Sequence, residues 1–153
     1  ITSKIRFHEL IDETLNSLRL TQGTDRLKVS IEIHDRIPFY TDSVRLGIIL
    51  TNIFSNAIKY QDLRKPTSTL AVYIQNDKEK TSIIIRDNGV GITEKHLDKI
   101  FDMFYRASDV VGGSGLGLYI VKETISKLNG DIRVQSEYGK GTAFEIVIPN
   151  EPQ

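Results

Sequence analysis

The sequence predicts a single mixed α/β domain. Three amphipathic helical stripes are interleaved with five strand-like stretches along 153 residues, a length that suits one domain with a sizeable core. Hydrophobic residues make up 39% and charged residues 26%, an ordinary globular balance. Lys plus Arg and Asp plus Glu each number 20, so the net charge is zero, which argues against a broadly basic nucleic-acid surface. There is no cysteine, which excludes thiolate metal sites, cysteine nucleophiles and disulfides, and fits a cytoplasmic setting. No apolar run approaches a membrane span and no signal peptide is visible. The chain starts at Ile1 rather than Met, as expected of a piece of a longer protein, and this leaves open an inner-membrane anchor elsewhere in the parent.

Taken in order, Phe7, Leu10, Ile11, Leu15 and Leu18 fall at helical spacing. His8 and Glu9 lie in this helix, where a surface histidine is the better reading than a phospho-acceptor. Gly23 and Thr24 make a turn. Leu27, Val29, Ile31 and Ile33 alternate with polar residues as a half-buried strand, and Pro38 helps to break it. Thr41 or Asp42 caps a long helix whose buried stripe is Leu46, Leu50, Ile53, Phe54 and Ala57. A polar connection containing Lys65-Pro66 leads to a strand through Leu70, Val72 and Ile74. The next strand, with Ile83-Ile84-Ile85 in a row, is expected to be buried on both faces. A short helix or turn over residues 94–100 precedes the aromatic run Phe101-Asp102-Met103-Phe104-Tyr105-Arg106. Leu118, Val121, Ile125 and Leu128 stripe the last helix, which Asn129-Gly130 ends. Ile132 and Val134, then Phe144, Ile146 and Ile148, make two final strands.

Four stretches carry chemistry. On the long helix, Asn52, Asn56, Lys59 and Tyr60 stand at i, i+4, i+7 and i+8, on one arc beside the apolar stripe. Asparagine is a poor helix former, so two of them a turn apart suggest a use for their amide oxygens. Such an oxygen can ligate Mg²⁺ while phosphates supply negative charge, although an incidental polar face remains an alternative. The strand end Asp87-Asn88-Gly89-Val90-Gly91-Ile92 offers a carboxylate to an amine, with Gly89 and Gly91 leaving room for a flat ring; a tight turn with a solvated Asp is the bland counterpart. Arg106 sits beside a segment with little to pack and can reach a phosphate or remain a surface arginine. Gly112-Gly113-Ser114-Gly115-Leu116-Gly117-Leu118 opens a helix, where bare N–H groups and the helix dipole favour a phosphate.

In this order the four stretches resemble the N, G1, F and G2 boxes of the ATP-binding catalytic domain of sensor histidine kinases, in the superfamily that includes type II topoisomerases, mismatch-repair ATPases and heat-shock chaperones. Asp42-Ser43-Val44-Arg45-Leu46 and Gly139-Lys140-Gly141-Thr142-Ala143-Phe144 extend the match over nearly the whole chain. The resemblance implies a Bergerat-type two-layer sandwich, with a mixed, mostly antiparallel sheet covered by helices on one face. It implies ATP and Mg²⁺ as cofactors. Asn56 would ligate the ion with Asn52 beside it, Lys59 would approach the phosphates, and Tyr60 would flank the nucleotide. Asp87 would accept the adenine amine and Gly91 would make room for the ring, with Ile92 and Ile100 forming an apolar wall. Tyr105 and Arg106 would complete the site from the F box, with Arg106 and Lys59 as the phosphate-stabilising candidates. Gly113, Ser114, Gly115 and Gly117 would wrap the phosphates, Leu116 and Leu118 would anchor the helix, and Thr142 would reach the adenine side through water.

Three departures bear on mechanism. His8-Glu9 lacks the proline that follows the family's acceptor histidine, and its helix matches the first helix of the catalytic domain instead. The acceptor is therefore expected on a separate dimerisation domain of a homodimeric parent, with a response-regulator receiver domain downstream and this fragment monomeric. Residues 107–112 carry no Lys or Arg, which makes Arg106 the main cation of that region. Met103 stands where a polar residue or proline is common. A serine/threonine kinase of the anti-sigma type and an ATP-dependent conformational binding module are the alternative readings of the same boxes.

Overall fold

The computed structural model describes residues 1–106 and 115–151. A two-residue strand, β1 (Ser3–Lys4), leads into helix α1 (Phe7–Ser17). After a 3₁₀ turn at Thr24–Arg26 come β2 (Leu27–His34), the two-residue β3 (Tyr40–Thr41) and the long helix α2 (Ser43–Lys59). The hairpin β4 (Ser68–Asn76) and β5 (Lys80–Asp87) follows, then the single-turn α3 (Glu94–Leu97), α4 (Gly117–Lys127), β6 (Asp131–Glu137) and β7 (Gly141–Pro149). Asp42 is the cap of α2, its carboxylate accepting from the Arg45 N–H at 3.1 Å. That bond holds the Asp42 carboxyl below its usual pKa. Asn129, in the left-handed region, ends α4 together with a Gly130 N–H bond to the Ile125 carbonyl.

The five long strands form one sheet in the order β2-β4-β5-β7-β6. β2 and β4 pair in parallel and the other three pairs are antiparallel, so the sheet is mixed and mostly antiparallel, as expected. Leu70, Val72 and Ile74 of β4, Ile83 and Ile85 of β5, and Phe144, Ile146 and Ile148 of β7 are buried in one core with Leu46, Ile49, Leu50, Ile53 and Phe54 of α2 and Val121 and Ile125 of α4. Each such side chain contributes about 1.5–3 kcal/mol by leaving water.

The β5 run is not buried on both faces. Ile83 and Ile85 are buried, but Ile84 is only partly so, because its face of the sheet carries no helix. Ile84 lies between Tyr73 and Glu145 in the register, and its neighbours set its exposure, not its own hydrophobicity. The small β1–β3 pair was not expected; it fixes the start of α1, where the Phe7 and Phe39 rings stack with centroids 5.7 Å apart. For the site, the decisive register is Leu70–Asp87–Thr142, which places Asp87 and Thr142 side by side at one end of the sheet.

Candidate functional site

At that end lies a cavity of about 480 Å³, lined by Asp87 and Thr142 from the sheet, Asn56 and Tyr60 from α2, and Gly91, Ile92 and Ile100 from the loops. Its apolar walls suit a flat ring. Asp87 Oδ1 accepts from the Gly89 N–H at 2.9 Å and the Thr142 N–H at 3.3 Å. Among the described residues Oδ2 has no partner, and the residue lines the cavity. Burial pushes the Asp87 carboxyl pKa up, against those two bonds and the Lys65 charge, which pull it down. A desolvated carboxylate is thus held at a cavity wall.

The loop after Asp87 is tightly constrained. Gly91 has φ +75°, and a Cβ there would sit on the Glu137 carbonyl oxygen. A Cβ on Gly89 would collide with the Tyr60 carbonyl, so its small size is needed against the end of α2, and it is not among the cavity-lining residues. The Val90 N–H donates to the Tyr60 carbonyl at 3.0 Å, and the Val90 carbonyl accepts from the Gly139 N–H at 2.6 Å. Ser136 joins the site from β6: its Oγ accepts from the Ile92 N–H at 2.8 Å and lies 2.8 Å from Thr142 Oγ1.

A second, more polar groove of about 270 Å³ continues from the first and shares Asn56, Tyr60, Ile100, Tyr105 and Leu118 with it. Its further lining includes Asn52, Lys59, Arg106, Gly115, Leu116 and Gly117. Asn52 Nδ2 donates to the Ile48 carbonyl at 2.8 Å, while a Cβ on Gly117 would lie 3.2 Å from Asn52 Oδ1. Among the described residues, no side chain caps the start of α4. Tyr60 is half-buried, and desolvation raises its pKa against the pull of the Arg106 charge. On the F-box side, Phe101 packs edge-on against Phe144, whereas Met103 and Phe104 are exposed. The Phe104 N–H donates to the Gly115 carbonyl at 2.9 Å, which brings the two flanks of residues 107–114 together. Gly113 and Ser114 lie outside the described residues.

The donor set suits a metal only in company with phosphates. Asn56 borders both cavities with a neutral amide that no hydrogen bond holds among the described residues. Nor does any group of three His, Asp or Glu among them form a metal cage. An amide oxygen beside a groove bordered by Lys59 and Arg106 fits a hard cation that arrives already bound to phosphate oxygens. His8 is exposed at the start of α1 and lines neither cavity.

The motifs did not point to Ser136, Lys65 or the pair His96 and Tyr105, whose ring nitrogen and hydroxyl are hydrogen-bonded at the cavity wall. Tyr105 was among the binding candidates, but its tie to His96 was not. The contacts of Ser136 and Lys65 join segments far apart in sequence, and that of His96 with Tyr105 joins α3 to the F-box loop, so no local pattern encodes them.

Known proteins resemble this chain in sequence and in fold. A family profile described as "Histidine kinase-, DNA gyrase B-, and HSP90-like ATPase" matches residues 41–152. The autoinducer 2 sensor kinase/phosphatase LuxQ of Vibrio vulnificus is 41% identical over 151 residues, covering 91% of this chain and 18% of that protein. The sensor histidine kinase RcsC of Escherichia coli is 39% identical over 112 residues, covering 71% of this chain and 11% of its own length. The chain thus spans less than a fifth of these relatives. Among solved structures, the mycobacterial sensor histidine kinase MprB superposes with a TM-score of 0.81 at 29% identity, covering both chains fully. The catalytic domain of the histidine kinase ThkA gives a TM-score of 0.81 at 22% identity over 99% of each chain, a likeness of fold.

Proposed function

The chain belongs to the family of histidine kinase-, DNA gyrase B- and HSP90-like ATPases, and on that premise we propose that it binds Mg²⁺-ATP and presents the γ-phosphate to a histidine on a separate dimerisation domain of its parent protein. A response-regulator receiver domain is the next acceptor in such a two-component relay. The observation that carries the reading is the joining of two unlike cavities at the Asn56–Tyr60 end of α2: an apolar one with a carboxylate at its wall, and a polar one bordered by Lys59 and Arg106.

In this mechanism Asp87 accepts the exocyclic amine of adenine through Oδ2, while its Oδ1 stays tied to the Gly89 and Thr142 N–H groups. Ile92, Ile100 and Leu118 shield the ring from water. Lys59 and Arg106 steady the polyphosphate by charge, and the first turn of α4 adds N–H donors and the positive end of its dipole. Asn56, with Asn52 adjacent, would hold Mg²⁺, which would supply further charge neutralisation. Phosphoryl transfer depends on positioning and neutralisation more than on covalent help from the protein, and these residues provide both. The attacking imidazole comes from the partner domain.

The test mixes the chain with γ-labelled ATP, alone and with the parent's histidine-bearing dimerisation domain. Acid-labile phosphate should appear on the added domain and negligibly on the chain. Strong phosphorylation of the chain alone, abolished by His8→Ala, would overturn the assignment. Acid-stable phosphate on serine or threonine of a partner would favour a serine/threonine kinase instead.

A further inference from the structure

We propose that Lys65 is a positioning residue for base recognition: its ammonium ties the backbone of the Asp87 loop to the turn that precedes Thr142, and so keeps the carboxylate in register at the base end of the cavity. The inference rests on the reading of that cavity as an ATP site. Lys65 lies in the loop between α2 and β4, and its Nζ donates to the Asn88 carbonyl at 2.7 Å, the Lys140 carbonyl at 3.3 Å and the Gly89 carbonyl at 3.5 Å. One charge therefore ties its own loop to two others, the stretch just after Asp87 and the turn just before Thr142. Lys65 is not among the residues lining either cavity, so it acts through the loop.

The surroundings of Lys65 are built to aim it. Asp62 is almost fully buried and accepts a forked pair of bonds from Arg64 Nε at 3.0 Å and Nη2 at 3.1 Å. Those bonds hold the Asp62 carboxyl below its usual pKa. The Lys65 N–H donates to the Asp62 carbonyl at 3.1 Å, which closes the turn that presents the ammonium. The Asn88 side chain adds a second seam, accepting from the Thr69 N–H and donating to the Thr67 carbonyl, both at 2.8 Å. Among the described residues, Lys65 is the cation hydrogen-bonded to the backbone of residues 87–91. Charged donors make stronger hydrogen bonds than neutral ones, and this charge also favours the ionised form of Asp87, partly offsetting the larger upward push of burial. The other titratable groups facing Asp87 across the cavity are Tyr60 of α2, Lys95 and His96 of α3, Tyr105, and Tyr138 of the β6–β7 turn.

The test is ATP affinity by titration calorimetry from acid to neutral pH, for the wild type, Lys65→Met and Lys65→Arg. Methionine keeps the stem of this half-buried side chain and removes the charge. Lys65→Met should weaken binding about tenfold at neutral pH, the loss expected for a charged hydrogen-bond network. It should also move the acid limb of the affinity profile to higher pH, because Asp87 is then protonated more readily. Lys65→Arg, which retains the charge, should restore the position of that limb. An unchanged affinity in Lys65→Met, or a loss with the acid limb where the wild type has it, would refute the role. Failure of the wild type to bind ATP would count against the ATP site itself; wild-type binding with an indifferent Lys65→Met counts against Lys65 alone.

Discussion

Asp87→Asn separates binding from stability in one substitution. The Asn Oδ1 must go on accepting from the Gly89 and Thr142 N–H groups, at 2.9 and 3.3 Å, or leave two donors unpaired. That requirement turns the new Nδ2 toward the position of Oδ2, so that a donor faces the adenine amine. The variant loses a charged acceptor and gains a donor–donor contact. Loss of a hydrogen bond to a charged group costs about 1.5–3 kcal/mol, or roughly ten- to 150-fold in affinity for ATP. The same donor matches a 6-oxo purine, so the preference for ATP over inosine triphosphate should shrink or reverse. Stability should move the other way. Burial raises the native Asp87 pKa above the ordinary aspartate value, so the native state holds the proton more tightly than the unfolded chain. The wild type keeps that increment of stability in acid and loses it as pH rises through the native pKa. At neutral pH, without nucleotide, Asp87→Asn should therefore melt higher than the wild type, and the difference should vanish in acid. Calorimetric titration with both nucleotides and thermal melts against pH read both effects. Unchanged ATP affinity in a folded Asp87→Asn would refute the adenine role.

Two further perturbations follow from the same geometry. Gly91→Ala forces a left-handed backbone on an L residue, which costs about 1–2 kcal/mol, and drives its Cβ into the Glu137 carbonyl; urea unfolding should show at least that loss. Asn56→Ala removes an amide that no described residue holds and replaces a poor helix former with the best. It should stabilise the chain by about 0.5 kcal/mol in urea while weakening Mg²⁺-ATP more than adenosine, and equal weakening of both ligands would count against a phosphate-side role.

The parts of this protein that were legible in the sequence are those whose cause is local. The apolar period of Leu46, Leu50, Ile53 and Phe54 fixes which face of α2 is buried, and the arc of Asn52, Asn56, Lys59 and Tyr60 then borders the two cavities without further information. Asp87 was legible because a carboxylate at a strand end with glycines beyond it is an unusual local pattern. What was not legible depends on register. Ile84 reads as core from its own side chain, yet pairing with Tyr73 and Glu145 puts it on the face without helices. Ser136 becomes a partner of Thr142 only because β6 and β7 pair Ser136 with Thr142 directly. Lys65 reads as one more polar residue in a loop, and its role appears only when the sheet carries Asn88, Gly89 and Lys140 to it. The glycines of the Asp87 loop depend in the same way on contacts distant in sequence. Gly91 lines the cavity, yet its positive φ and the Glu137 carbonyl already require glycine there, and Gly89 is held small by the Tyr60 carbonyl, a contact made by the end of α2. The fold thus constrains both glycines of this loop, and substitutions at either should be costly even where nucleotide is absent.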